Sequence, residues 1–286
     1  MKYHPESLAK FWRHISDKMA RFGLIGNPIA HSKSPLLFAA AYPDKDTYEL
    51  IEAENLEKSL QIFMQEDFKG INVTSPYKDL VMEHVAFPDR ISSLLGSANV
   101  LIKGEAGKDG MPLLYSYNTD YYGVKNTVAE FLSKRSERGG ASAGSVEKVL
   151  VVGAGGAGKA AALAMKDMGY DVSLANRSAG KVAEFASAIG VEYVPLDMAG
   201  KLAKEADIIV YSLSFLIDQL KGVDLSGKAV FEANYAKPSL APECGVVSGV
   251  YIDGRWWLYH QAIPAFELFT GRRPNLLAMR RIIGIK

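Results

Sequence analysis

Lys148-Val149-Leu150-Val151-Val152-Gly153-Ala154-Gly155-Gly156-Ala157-Gly158 begins the stretch that decides the fold, and this stretch runs on to Asn176-Arg177-Ser178. The apolar run from Lys148 to Val152 suits a strand buried on both faces of a parallel sheet. Gly153 to Gly158 fit G-x-G-x-x-G. An alanine-rich helix is predicted over Lys159 to Met168, ended by Gly169, and a second strand over Tyr170 to Ala175. Such a βαβ unit aims backbone N–H groups and a helix N-terminus at an anion, because glycine leaves no side chain in the way. A lone G-x-G-x-x-G is weak, and a purely structural glycine turn is the alternative. Set between strand and helix, Gly153, Ala154, Gly155, Gly156, Ala157 and Gly158 point to a dinucleotide pyrophosphate.

The end of the second strand refines the ligand. An NAD site usually carries a carboxylate there for the ribose hydroxyls. This chain has Asn176, Arg177 and Ser178, with Lys181 just beyond. A guanidinium grips a phosphate with paired hydrogen bonds, so the expected cofactor is NADP. The bland alternative is a solvated arginine on a loop.

Outward from this unit, the chain has 286 residues, enough for two domains, with a net charge of +1 and 48% hydrophobic residues. That balance gives no reason to expect nucleic acid or an anionic membrane as partner. The single cysteine, Cys244, excludes an internal disulfide framework and fits a reducing, cytoplasmic setting. Residues 1–20 lack the apolar core of a secretory signal; Leu8, Phe11, Trp12, Ile15 and Met19 instead recur at helical spacing. No His/Cys/carboxylate grouping has metal-ligand spacing, so no metal is expected.

The first half also alternates strand and helix. Strands are predicted at Arg21–Gly26, Thr47–Ile51, Gly70–Thr74, Ala98–Ile102 and Pro112–Tyr117, with Lys103–Gly110 as an exposed turn. Ser34-Pro35 and Ser75-Pro76 both read as helix starts, the latter opening a helix through Lys78 and Val85. Asn118-Thr119-Asp120 precedes another helix, and Ser133–Ser145 reads as a loop. Beyond the βαβ unit come a helix over Gly180–Ile189 and strands near Val191, at Asp207–Tyr211, Lys228–Glu232 and Val250–Ile252. Helices over Gln261–Phe269 and from Pro274 onward complete the pattern.

Lys78, in the first turn of its predicted helix, opposes the helix dipole, which favours the neutral amine and suits proton exchange. Taken alone, it reads as an exposed structural lysine, Asp120 as an N-cap, and Ser32 and Ser34 as loop and cap hydroxyls.

Read jointly, the motifs are more specific. Gly26-Asn27-Pro28-Ile29-Ala30-His31-Ser32-Lys33-Ser34-Pro35 resembles the substrate loop of the shikimate dehydrogenase family. Asn72-Val73-Thr74-Ser75-Pro76-Tyr77-Lys78 resembles its Asn-Val-Thr-x-Pro-x-Lys motif, and Asn118-Thr119-Asp120-Tyr121-Tyr122-Gly123 its Asn-Thr-Asp-x-x-Gly motif. Gln261-Ala262, Phe266-Glu267-Leu268 and Thr270-Gly271 are similar to its C-terminal signature. The resemblance implies two α/β domains, a substrate domain (1–119 and 258–286) and a Rossmann-type NADP domain (120–257), with the active site in the cleft between them. It implies a catalytic Lys78 partnered by Asp120. Ser32, Ser34, Thr74, Lys78, Asn99, Asp120, Tyr235 and Gln261 would bind substrate hydroxyls and carboxylate, and Arg177 and Lys181 the 2′-phosphate. The implied activity is NADPH-dependent reduction of 3-dehydroshikimate to shikimate in aromatic amino acid biosynthesis, by a monomer or homodimer.

Three positions depart from the family pattern. Asn99-Val100 stands where Asn-Thr is usual, Tyr211-Ser212-Leu213 where Asn-Ala-Thr is usual near the nicotinamide, and Tyr235-Ala236-Lys237-Pro238 matches Tyr-x-Pro loosely. Two alternatives stand beside the main reading: a quinate/shikimate dehydrogenase accepting NAD, and a non-catalytic NADP-binding sensor. The Lys78–Asp120 pair argues against the sensor, and Arg177 against strong NAD preference.

Overall fold

The computed structural model describes residues 19–43, 46–108, 110–137, 147–246 and 248–285, with the side chains of 132–137 left aside. The predicted N-terminal amphipathic helix and the Arg138–Ser145 part of the predicted loop lie outside the described residues. The chain divides into two compact units, Met1–Thr119 with Gln261–Lys286, and Asp120–His260.

The first unit is built on a mixed sheet. Strand β1 (Arg21–Ile25) lies parallel between β2 (Thr47–Ile51) and β3 (Phe68–Val73). β3 pairs antiparallel with β5 (Val100–Ala106), β5 antiparallel with β6 (Pro112–Tyr117), and the short β4 (Phe87–Pro88) runs parallel to β6 at the edge. Being central, β1 buries residues on both faces. On one face the helix Leu56–Gln65 packs Leu56, Leu60 and Phe63 against Ile25, Ile71 and Val73. Asn55 starts that helix by accepting from the Lys58 N–H at 2.9 Å. Elsewhere in this unit, Phe22 stacks on Phe269 with centroids 4.9 Å apart, and Phe38 meets Phe266 edge-on at 5.0 Å.

The second unit holds an all-parallel sheet in the order β12 (Ser248–Ile252), β11 (Leu225–Glu232), β10 (Ile208–Tyr211), β7 (Lys148–Val152), β8 (Asp171–Asn176), β9 (Glu192–Pro195). This is the doubly wound Rossmann order, with the first strand at the centre and the order reversing beside it. Val149 to Val152 are buried, as the unbroken apolar run requires. The helix Gly156–Asp167 buries Ala160, Ala161, Ala162 and Ala164 completely; small side chains allow it to lie close to its neighbours.

Several sequence expectations are corrected. Ser75-Pro76 opens no α-helix: residues 75–79 form turns, followed by a 3₁₀ helix at Leu80–His84. Ser34 is the first residue of the helix Ser34–Ala41 rather than its cap; the position before it is Lys33, which makes no side-chain capping bond. The helix from Asp120 continues through Glu137, so Ser133–Glu137 is helix, not loop; Lys134, Arg135 and Glu137 are good helix formers whose polarity alone suggested a loop. β5 extends to Ala106, shortening the predicted turn. The helix predicted from Gln261 starts at Gly254, because the aromatic run Trp256-Trp257-Leu258-Tyr259 has no polar face to show helical period.

Candidate functional site

In the first unit the loop after β1 and the loop after β3 are held face to face. Thr74 donates its N–H to the Ile25 carbonyl at 2.9 Å, and Asn27 its N–H to the Ser75 carbonyl at 3.2 Å. A Cβ at Gly26 would overlap the Thr74 methyl and lie 2.7 Å from the Ile29 side chain, so only glycine permits this approach. The Asn27–Pro28 and Ser75–Pro76 peptide bonds are cis. Ser32 Oγ accepts from the Ser34 N–H and lies 3.2 Å from Ser34 Oγ, so Ser32 satisfies a helix-end donor that Lys33 leaves open.

Lys78 is half-buried in the turn that follows Pro76. Its carbonyl accepts from Ala98 N–H at 2.9 Å, and its neighbour Tyr77 is buried in the core. The helix-dipole argument for Lys78 falls away, because no α-helix begins there.

A buried polar network joins the remaining positions of this unit. Tyr48 donates to Asn72 Oδ1 at 2.7 Å, and Asn72 Nδ2 donates to the Asn99 carbonyl at 3.0 Å. Asn99 Oδ1 accepts from the Thr119 N–H at 2.7 Å, while Asn99 Nδ2 lies 2.9 Å from Thr119 Oγ1 and 3.2 Å from Gln261 Oε1. Asn99 is 3% and Thr119 1% exposed, so each of these groups needs its partners. Burial raises the Tyr48 hydroxyl far above the usual phenol range, with Ser34 opposing in part, and so keeps it a proton donor. Tyr48 and Asn72 are absent from the predicted site; a single tyrosine in a strand carries no signal in the sequence for a hydroxyl partner 24 positions away.

In the second unit the glycine turn has the form expected of it. Gly153 sits at φ +94°, a region that disfavours side chains, and a Cβ on Gly158 would overlap the Gly153 carbonyl oxygen. Gly155, by contrast, is exposed with nothing within 4 Å of its Cβ position, at the start of the helix Gly156–Asp167. Gly156 and Ala157 form the first turn of that helix, and the Ala154 N–H is taken by Asn176 Oδ1 at 3.2 Å. Asn176 also donates to the Ser178 carbonyl at 3.0 Å, tying the end of β8 to the turn. Arg177, Ser178 and Lys181 are exposed just beyond. An open, side-chain-free cradle at a helix N-terminus, with cations one strand away, fits a dinucleotide carrying an extra phosphate.

Asp120 is 5% exposed and opens the helix Asp120–Glu137, placing it in the first turn rather than at a cap. Tyr235 is half-buried in the loop after β11. That loop is pinned by Glu232, a fully buried carboxylate that accepts from the Ser239 N–H at 2.5 Å, the Leu240 N–H at 3.0 Å and the Tyr251 hydroxyl at 2.9 Å. The sequence did not single out Glu232, because a glutamate ending a strand reads as solvent-facing. Tyr211 is fully buried, its hydroxyl donating to the Phe215 carbonyl at 2.6 Å and accepting from the Ile217 N–H at 3.0 Å. Among the described residues no cluster of His, Cys, Asp or Glu could hold a metal ion, and no helix is long and apolar enough to cross a membrane.

Comparison with known proteins agrees with this architecture. Residues 24–101 match the family model for the shikimate dehydrogenase substrate binding domain, and residues 139–216 that for shikimate / quinate 5-dehydrogenase. A shikimate dehydrogenase (NADP(+)) of Natronomonas pharaonis is 34% identical over 269 residues, covering 88% of this chain and 93% of that protein. The crystal structure of shikimate dehydrogenase from Aquifex aeolicus superposes with a TM-score of 0.74 at 25% identity, covering 93% of this chain and 97% of that one. Shikimate 5-dehydrogenase from Thermus thermophilus, solved with NADP(H) and shikimate, gives a TM-score of 0.65 at 26% identity over 92% of this chain and 98% of that one. With its substrate domain, its Rossmann-type domain and these relatives spanning nearly the whole sequence, the chain belongs to the shikimate dehydrogenase family.

Proposed function

We propose that this chain is a cytoplasmic NADP-dependent shikimate dehydrogenase, interconverting 3-dehydroshikimate and shikimate in aromatic amino acid biosynthesis. The observation that carries the reading is the buried network Tyr48–Asn72–Asn99–Thr119–Gln261, which joins residues from separate family motifs in one unit. Such a network fixes amide and hydroxyl groups in rigid positions, as recognition of a polyhydroxylated acid requires. NADPH, when bound, supplies the hydride for the ketone carbon. The Lys78 ammonium gives its proton to the oxygen on which negative charge develops, and the amine takes it back in the reverse direction. Asp120 accepts from a substrate hydroxyl. Ser32, Ser34, Thr74, Asn99, Tyr235 and Gln261 hold the remaining hydroxyls and the carboxylate. Gly153 to Gly158 receive the pyrophosphate, with Asn176 and Ser178 shaping the turn and Arg177 and Lys181 on the 2′-phosphate.

Nicotinamide reduction with shikimate or quinate, each paired with NADP⁺ or NAD⁺, tests the proposal. Shikimate with NADP⁺ should be the fastest pair. Quinate with NAD⁺ fastest, or NADP binding without any turnover, would overturn it in favour of the quinate enzyme or the sensor.

The phosphate assignment has its own test. Arg177→Ala removes a charge-assisted contact of about 1.5–3 kcal/mol, so the NADP dissociation constant should rise roughly 10- to 100-fold while that for NAD hardly changes. Arg177 is exposed, so the fold should tolerate the change. An equal loss of both cofactors in direct titrations would remove Arg177 from the phosphate site.

A further inference from the structure

Tyr211 ends β10 and is followed by the loop Ser212–Ile217. Its ring belongs to the core formed with Leu150, Val152, Ile209 and Ile217, and none of it is exposed. The hydroxyl turns into the loop, where it binds both the Phe215 carbonyl and the Ile217 N–H. Burial raises this hydroxyl to about 12, so it stays protonated and keeps donating across the physiological range.

The same loop leans on the glycine turn. Ser212 Oγ donates to the Val152 carbonyl at 3.0 Å and lies 3.3 Å from the Gly153 carbonyl. Leu213 Cδ2 lies 2.7 Å, and Ser212 Oγ 2.6 Å, from where a Cβ on Gly153 would stand; Ser212 Oγ is also 2.9 Å from that position on Gly158. The first and last glycines of the turn are thus packed directly against Ser212 and Leu213. Phe215, whose carbonyl is one of the two backbone groups that Tyr211 holds, has a side chain that contributes little anchoring, the residue being 60% exposed.

We propose that Tyr211 is a positioning residue for the cofactor: its hydroxyl holds the Ser212–Ile217 loop against the glycine turn and so sets the affinity for NADP. The inference rests on the reading that this turn receives NADP. Without the hydroxyl, the Phe215 carbonyl and the buried Ile217 N–H lose their partner together, and such groups are costly to leave unpaired. The loop then opens toward water, and the support behind Gly153 and Gly158 goes with it.

Tyr211→Phe keeps the ring in the core and removes only the oxygen. Direct NADP titration, well below the melting temperature of both proteins, should show the dissociation constant rising roughly 5- to 10-fold, the scale of a lost hydrogen bond. The KM for NADP should rise in parallel, with the KM for shikimate within about twofold of wild type. A purely structural role would lower the melting temperature and leave NADP affinity unchanged, and that result overturns the proposal. If Tyr211→Phe does not fold, Leu213→Ala keeps both bonds to the hydroxyl and removes one of the two side chains packed against Gly153. It too should weaken NADP, and unchanged affinity overturns the proposal. Failure of the wild-type protein to bind NADP would instead refute the cofactor reading itself, so the two failures are distinguishable.

Discussion

Lys78→Met is expected to lower kcat by at least ~10²-fold, the low end of what a positioned acid–base group supplies. Methionine keeps the length and bulk of the aliphatic stem and loses the ammonium, so the change separates charge from packing. The fold around it should hold. Lys78 lies in a turn fixed through its own carbonyl, bound to the Ala98 N–H, and through the buried Tyr77 beside it. There is no α-helix here whose dipole or propensity the substitution could disturb. NADP affinity should also hold, because the glycine turn belongs to the other unit. Steady-state kinetics with shikimate beside an NADP titration reads both quantities. A Lys78→Met protein with wild-type kcat would mean that the proton comes from elsewhere, with Asp120 or a bound water as the next candidate.

The glycine turn yields the second large effect, and it divides into two different losses. In Gly158→Ala the added methyl would overlap the Gly153 carbonyl oxygen, a backbone atom that cannot swing aside, and would stand 2.9 Å from Ser212 Oγ. The helix Gly156–Asp167 has to move off β7 to make room. Overpacking of this kind costs about 1–3 kcal/mol or more, and for a second unit of ordinary domain size the melting temperature should fall by several degrees. NADP binding should drop at least ~10-fold, since the helix N-terminus is displaced from the pyrophosphate. Gly155→Ala behaves differently. No atom lies within 4 Å of the new methyl, and the backbone at φ −69° suits alanine. Its stability should be unchanged or slightly raised, while NADP weakens because the methyl projects into the cradle. Thermal melts and NADP titrations of both variants decide the matter. If Gly155→Ala binds NADP as well as the wild type, the pyrophosphate is not over Gly155.

Which parts of this were legible in the sequence follows from where the physical constraints lie. The glycine turn was legible because its demands fall on contiguous residues: a positive φ at Gly153 and a backbone approach at Gly158 permit little else. The parallel strands were legible because burial on both faces leaves an unbroken apolar run, as at Val149 to Val152. The Ser75-Pro76 start misled because proline suits a helix's first turn and a tight turn equally well, and the structure takes the turn. Tyr48 and Glu232 went unread, and Asn72 was read only as part of a motif, because their partners are remote or are backbone groups, which leave no pattern along the chain. Tyr211 was visible only as a departure from the family. Nothing along the chain marks the Phe215 carbonyl and the Ile217 N–H that its hydroxyl binds.

The division of the chain also bears on its manufacture. The first unit begins at the N-terminal side but takes its last piece from Gln261–Lys286, whereas the second unit is continuous from Asp120 to His260. Phe22, Phe38 and Tyr48 therefore wait for Phe266 and Phe269, and Gly70 leaves the space that the Phe269 ring will fill. At a translation rate of about 5–20 residues per second, that wait is on the order of ten seconds. A fragment ending at Thr119 should accordingly bind an apolar dye that the whole chain excludes. On the ribosome the unit synthesised second is the first that can close, and the unit synthesised first stays open to chaperones until the helix bearing Phe266 and Phe269 emerges.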